Sequence, residues 1–190
     1  MEQALLVIDA QQELIEGNEK EQGVVQKEKL IETINRVIEK AVEADAGVIF
    51  VRDRDVAGGK GEGFQVHNGI KIPEHAVTFD KLATNSFYGT GLIDFLQKEK
   101  IGHIVVVGCQ TEYCIDTAVR YATVNGMDVT LVADGHSTKD SAVLTGEQII
   151  KHHNQVLHGH YNVDHFSVVR DSDEHIFYPK HDDYRKEYGM

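Results

Sequence analysis

Two cysteines, Cys109 and Cys114, are all the chain has, and both lie in "VVVGCQTEYCIDTAVRYA" (105–122). There an apolar β-branched run gives way at Gly108 to a polar turn and then to a helical pattern. Cys114 therefore falls in the first turn of a predicted helix. Unpaired N–H groups and the positive end of the helix dipole favour thiolate at such a place, and reactive cysteines reach pKa values of roughly 3.5 to 7.5. A nearby lysine favours the thiolate further, and an acid beside it could carry the thiol proton to a leaving amine. Lys81 and Asp9 are residues of those types at the ends of predicted strands. With backbone N–H groups of the "GCQTEYC" turn holding an oxyanion, the chemistry is acyl transfer from an amide. Taken singly, each residue has a plainer reading. A cysteine at a strand-helix junction more often packs than attacks, an acid ending a strand caps or pairs, and a loop lysine is solvated. Their joint placement is what favours the chemical reading.

The elements that must position these residues follow from apolar patterning. "ALLVID" (4–9) is a continuous apolar run ending in an acid, as in a strand buried on both faces. From about Val25 to Ala44 apolar residues recur at helical spacing between Glu and Lys, which predicts an amphipathic crossover helix. "GVIFVR" (47–52) and "AVTFDK" (76–81) are the next strands, and "DVAGGKGEGF" between them reads as an exposed, flexible loop. A helix over 89–100, the strand "HIVVVG", a helix over 112–125, "DVTLVAD", a helix over 145–158 and "FSVV" (166–169) complete the alternation. Six strands alternating with helices predict a three-layer α/β domain on a parallel sheet with right-handed crossovers. Such sheets bind ligands at the carboxyl ends of their strands beside the topological switch point, which is where Asp9, Lys81 and Cys114 fall. One domain over 1–190 is expected, with an irregular extension from about residue 170. Its Phe177, Tyr178, Tyr184 and Tyr188 predict packing on the core or on a neighbouring subunit.

Thirty-one acidic against nineteen basic residues give a formal charge of −12, which repels phosphate backbones and anionic membranes and leaves small molecules as the expected ligands. The start "MEQALLVIDA" has neither the basic region of a signal peptide nor the length of a membrane anchor, so a cytoplasmic location and free thiols are expected. Rival motifs fail on context. "CIDTAVR" has the Cys-to-Arg spacing of a phosphatase loop, but its intervening residues read as helix and include Asp116. The cysteine spacing matches no zinc site, and the histidine-rich "KHHNQVLHGHY" matches no ligand pattern, so surface or subunit-contact histidines are expected there. "GGKGEG" leads into no predicted helix, and neither a dinucleotide fingerprint nor a G-x-S-x-G elbow is present.

With these residues in place the chain resembles the isochorismatase-like cysteine hydrolases, which include nicotinamidases and carbamoylsarcosine amidases. "ALLVIDAQQELI" resembles the family's first strand with its acid, "GIKIPEHAVTFDKLATNSFYGTGL" its lysine segment, and "VVVGCQTEYCIDTAVRYATVNGMDVTLVADGHST" its nucleophile segment. The resemblance implies a triad in which Asp9 shuttles the proton, Lys81 favours the thiolate and Cys114 attacks to form a thioester. It also implies an oxyanion hole from the N–H groups of Gln110 and Cys114, a cis peptide between Cys109 and Gln110, and a structural role for Cys109. The implied strand order is 3-2-1-4-5-6, which puts Lys81 two strands, roughly 9 to 10 Å, from Asp9. A homo-oligomer, dimer or tetramer, is implied as well. Metal-dependent nicotinamidases resemble one another in an Asp-x-His pattern where this chain has "VRDRDVAGG", so no metal or other cofactor is expected and nicotinamide is disfavoured. Isochorismatases of the family often lack the cysteine, so Cys114 favours amide over vinyl-ether hydrolysis. Arg52, His67 and Phe87 are candidates to line the pocket. Ether hydrolysis, or a silent binding or scaffold role, is the alternative.

Overall fold

The computed structural model describes residues 2–177; Tyr178, Tyr184 and Tyr188 lie outside them. The strands are β1 (Gln3–Ile8), β2 (Gly47–Asp53), β3 (Val77–Lys81), β4 (His103–Cys109), β5 (Asp128–Ser137), β6 (Tyr161–Asn162) and β7 (His165–Arg170). The helices are α1 (Gln12–Glu16), α2 (Lys27–Glu43), α3 (Gly61–Phe64), α4 (Leu92–Lys98), α5 (Asp116–Val124) and α6 (Gly146–Leu157). The sheet runs β3-β2-β1-β4-β5-β7-β6, parallel except that the two-residue β6 pairs antiparallel with β7. The order 3-2-1-4-5 is as expected. The strand expected sixth is β7, and the short β6 at the edge is an addition.

Side chains alternate across a strand, so the unbroken run of β1 serves two cores at once. Ala4, Leu6 and Ile8 face α4 and α5, among Leu92, Leu96, Ala118 and Val119. Leu5 and Val7 face α2, whose Leu30, Ile34, Val37, Ile38 and Ala41 form the buried stripe that the periodicity predicts. Ile176 and Phe177 complete that second core, so the start of the C-terminal extension packs on it. Burying each large aliphatic side chain of the stripe contributes roughly 1.5 to 3 kcal/mol, far more than helix propensity supplies. No helix of the described residues is long and apolar enough to cross a membrane.

Two local findings differ from the expected elements. The glycine-rich segment is not an unstructured loop: a turn over Val56–Gly59 and the short helix α3 fold it back. Buried Phe64 anchors it, with the Arg52 guanidinium 4.4 Å above the ring. A further short helix, α1, follows β1 directly.

The carboxyl ends of β1 and β4 approach closely, and Gly108 is what permits it. Its φ is +123°, and a Cβ there would lie 1.9 Å from the Ile8 carbonyl oxygen. We expect Gly108→Ala to cost about 3 kcal/mol or more, combining overpacking with an unfavourable backbone. Urea denaturation measures it, and a loss below about 1 kcal/mol would mean that the strand ends part freely.

Candidate active site

Asp9 follows β1 in the left-handed region, with φ 48°, and its N–H donates to the Val51 carbonyl at 2.8 Å. Lys81 ends β3, where parallel register sets it beside Asp53 at the end of β2. Its ammonium reaches past β2 to lie 3.0 Å from Asp9 Oδ2 and 3.4 Å from Cys114 Sγ, and it also pairs with Asp53. The length of the lysine side chain closes the two-strand gap. Asp9 and Lys81 are each 1% exposed, and Cys114 is 9% exposed.

The peptide bond between Cys109 and Gln110 is cis. After it the chain enters a wide turn over Thr111–Ile115, in which the Gln110 carbonyl accepts from the N–H groups of both Tyr113 and Ile115. Cys114 therefore sits in this wide turn, two residues ahead of α5 proper, rather than in its first α-helical turn. The sequence reading passed over His136, which fixes this turn from behind. Asn154 Nδ2 donates to the Ala133 carbonyl, so its Oδ1 receives His136 Nε2–H at 2.8 Å and His136 Nδ1 accepts from the Thr111 hydroxyl at 2.8 Å. Burial pulls the His136 pKa down to about 4, so the ring stays neutral and keeps that arrangement.

Electrostatics reverse one sequence expectation. A helix start and a lysine alone would favour thiolate, but burial and then the Asp9 carboxylate push the Cys114 thiol up to about 12, against the pull of Lys81. Burial also raises Asp9 to about 6, with Lys81 opposing it. Burial works against the Lys81 ammonium, yet the charges of Asp9 and Cys114 and the bond to Asp53 outweigh it, so Lys81 stays protonated. At neutral pH the arrangement is thus a thiol, a carboxylate and a fixed ammonium. Cys109 is fully buried, and burial raises its thiol further out of reach.

Asp9, Asp53 and Cys114 bring donor atoms within 4.8 Å of one another. This set does not fit a resident divalent cation, because the Lys81 ammonium already bonds to all three residues. His67 is no substitute ligand: its Nε2 pairs with Glu16 at 3.0 Å, and its Nδ1 accepts from the Gly69 N–H.

Cys114, Asp9, Asp53 and Gln110 open onto a cavity of about 250 Å³ beside α1 and the folded-back segment. Arg52, His67 and Phe87 are not among its lining residues, which corrects that expectation. Arg52 forks onto Asp80 at 2.8 and 3.1 Å, His67 is buried against Glu16, and Phe87 stacks on Tyr121 with centroids 5.1 Å apart.

Asp53 was absent from the sequence candidates. Its charge helps to hold Asp9 up, so Asp53→Asn should move the titration of Asp9 to lower pH. Removing a hydrogen bond to a charged group should also cost about 2 kcal/mol. A pH–rate profile and a urea titration check the two effects separately.

The Isochorismatase domain family matches residues 3–146. The uncharacterised isochorismatase family protein YrdC of Bacillus subtilis is 28% identical over 136 residues, 69% of this chain and 71% of that protein. An isochorismatase from Pseudomonas putida superposes with a TM-score of 0.78 at 26% identity, over 90% of this chain and 88% of that one. N-carbamoylsarcosine amidase from Thermoplasma acidophilum shares the fold, with a TM-score of 0.72 at 21% identity over 92% and 99% of the two chains. With a family match running from β1 to the first residue of α6, across the segments that carry Asp9, Lys81 and Cys114, the chain belongs to the isochorismatase domain family.

Proposed function

We propose that this protein is a cysteine amidohydrolase that cleaves the C–N bond of a small amide or carbamoyl compound through a thioester on Cys114. The observation that carries the reading is the convergence of Asp9 and Cys114 on the Lys81 ammonium, at 3.0 and 3.4 Å, with Asp9 and Cys114 lining a cavity. Asp9 takes the thiol proton as sulfur attacks the carbonyl carbon, and the N–H groups of Gln110 and Cys114 receive the oxyanion. Asp9 then gives that proton to the leaving nitrogen, and the C–N bond breaks to leave the thioester. Water follows: Asp9 accepts its proton, the hydroxide adds to the thioester, and the proton returns to sulfur as the acid departs. Lys81 stays charged throughout and offsets the negative charge that moves between sulfur and carboxylate. An acid near pKa 6 suits a base working at neutral pH.

The test is a panel of small primary amides and carbamoyl compounds assayed for ammonia release, with the acyl-enzyme trapped by acid quench and located by mass spectrometry. Ammonia release with an adduct on Cys114 supports the reading. Turnover with no adduct at Cys114, or release of an enol or keto product from a vinyl ether without ammonia, would replace it.

A further inference from the structure

Strands β1 and β2 stay in register as far as Ile8 and Val51, and the Asp9 N–H adds one more bond to the Val51 carbonyl. There the left-handed turn at Asp9 takes the chain out of the sheet, while β2 runs on to Asp53. Backbone groups alternate in direction along a strand, so the Asp53 N–H and C=O face the side that β1 has just left. The Gln11 side chain takes the missing strand's place, since a primary amide carries the same donor and acceptor as a peptide group. Its Oε1 accepts from the Asp53 N–H at 2.7 Å, and its Nε2 donates to the Asp53 carbonyl at 3.1 Å. Nε2 also donates to the Phe64 carbonyl at 2.8 Å, so the fully buried amide ties the folded-back segment to the same point.

A buried glutamine that pairs with backbone is commonly a prop for the fold, and these three bonds alone would signify no more. What sets this one apart is the group that Asp53 carries. On its other side Asp53 is in register with Lys81, and its carboxylate pairs with the Lys81 ammonium. The Asp55 N–H donates to the second carboxylate oxygen at 2.9 Å, which fixes the rotation of the group. The ammonium so held lies 3.0 Å from Asp9 and 3.4 Å from Cys114, at the end of a flexible four-carbon stem. Drift of the backbone at Asp53 is therefore drift of the ammonium, and an error of about 1 Å near the chemistry can cost about 10²-fold in rate. Gln11 itself lines no part of the cavity.

We infer that Gln11 is a positioning residue for the proton transfer: by completing the ladder at Asp53 it aims the carboxylate that holds the Lys81 ammonium between Asp9 and Cys114. The inference rests on the amidohydrolase reading and adds to it a residue that acts only through Asp53.

A double-mutant cycle tests this, because residues that act through one another do not lose rate independently. Gln11→Met keeps the length of the side chain and removes all three bonds. It should lower kcat for ammonia release at least tenfold in the wild-type background and less than threefold in Asp53→Ala, where there is no carboxylate left to aim. Each kcat is taken per folded protein, from a urea titration of that variant. The same cycle is read without substrate from the rate at which iodoacetamide alkylates Cys114, which depends on the nearby ammonium. There the effect of Gln11→Met in the two backgrounds should differ at least threefold, and any change in access through a loosened cavity wall cancels. Should Gln11→Met not fold, Gln11→Glu replaces it, since it keeps an acceptor for the Asp53 N–H and loses both donated bonds. Equal factors in the two backgrounds, or no effect in either, overturn the inference and leave Gln11 a prop. Coupling in alkylation with no ammonia released from any amide would sink the amidohydrolase reading and keep the inference. Ammonia release without coupling would do the reverse.

Discussion

Replacing Cys114 with alanine is expected to lower kcat about 10⁴-fold or more, because the proposed covalent route would lose its nucleophile outright, with only binding and oxyanion stabilisation left. The change is small in volume, at a side chain that faces the cavity on one side and Ile115, Ala118 and their neighbours on the other. Stability should fall by only about 1 kcal/mol, so denaturation midpoints separate lost chemistry from lost fold. Cys109→Ala is the matched control. That sulfur is fully buried beside Val107 and Val132 and lies outside the cavity lining, so most of the activity should survive its removal. Ammonia release that persists in Cys114→Ala would end the nucleophile assignment.

Asp9→Asn is the second large effect, expected at about 10² to 10⁴-fold in kcat, the range that general acid–base catalysis supplies. Its signature is in the pH profile. Asp9 must be a carboxylate to take the thiol proton, so kcat/KM should fall about tenfold per unit as pH drops below about 6 and level off above it. With the thiol held up at about 12, no alkaline fall belongs to Cys114 in the ordinary working range. Asparagine cannot take the proton, so in the variant the acid limb should vanish and the residual rate should climb with pH as hydroxide deprotonates sulfur. An acid limb that survives unchanged would assign that titration to another group.

The sheet was legible because its central strands are buried on both faces and read as unbroken apolar runs between helical stretches. The order 3-2-1-4-5 came from the family resemblance. What escaped were the short pieces after strand ends. Helix α1 has five residues, too few for periodicity to register, and α3 lies within glycines whose plain reading is loop until Phe64 finds its buried site under Arg52. The candidate site was legible for the same positional reason in three of its residues, each at or just past the carboxyl end of a strand. Asp53 obeys that rule too. It was missed because the predicted strand stopped at Arg52, one residue short, and because one acid among thirty-one carries no signal without its register partner Lys81. The protonation state of Cys114 was not legible, since it depends on how deeply the sulfur is buried and on an acid more than a hundred residues away.

The left-handed backbone at Asp9 also restricts how this family member can drift. A non-glycine residue with φ near +48° is tolerated chiefly when it is aspartate or asparagine, and a β-branched replacement would strain the chain where β1 ends. Descendants that give up the carboxylate should therefore carry asparagine or glycine at this position far more often than valine, isoleucine or threonine. Position 9 thus becomes a readable mark, among relatives with this turn, of which lineages have kept the carboxylate and which have kept only its backbone.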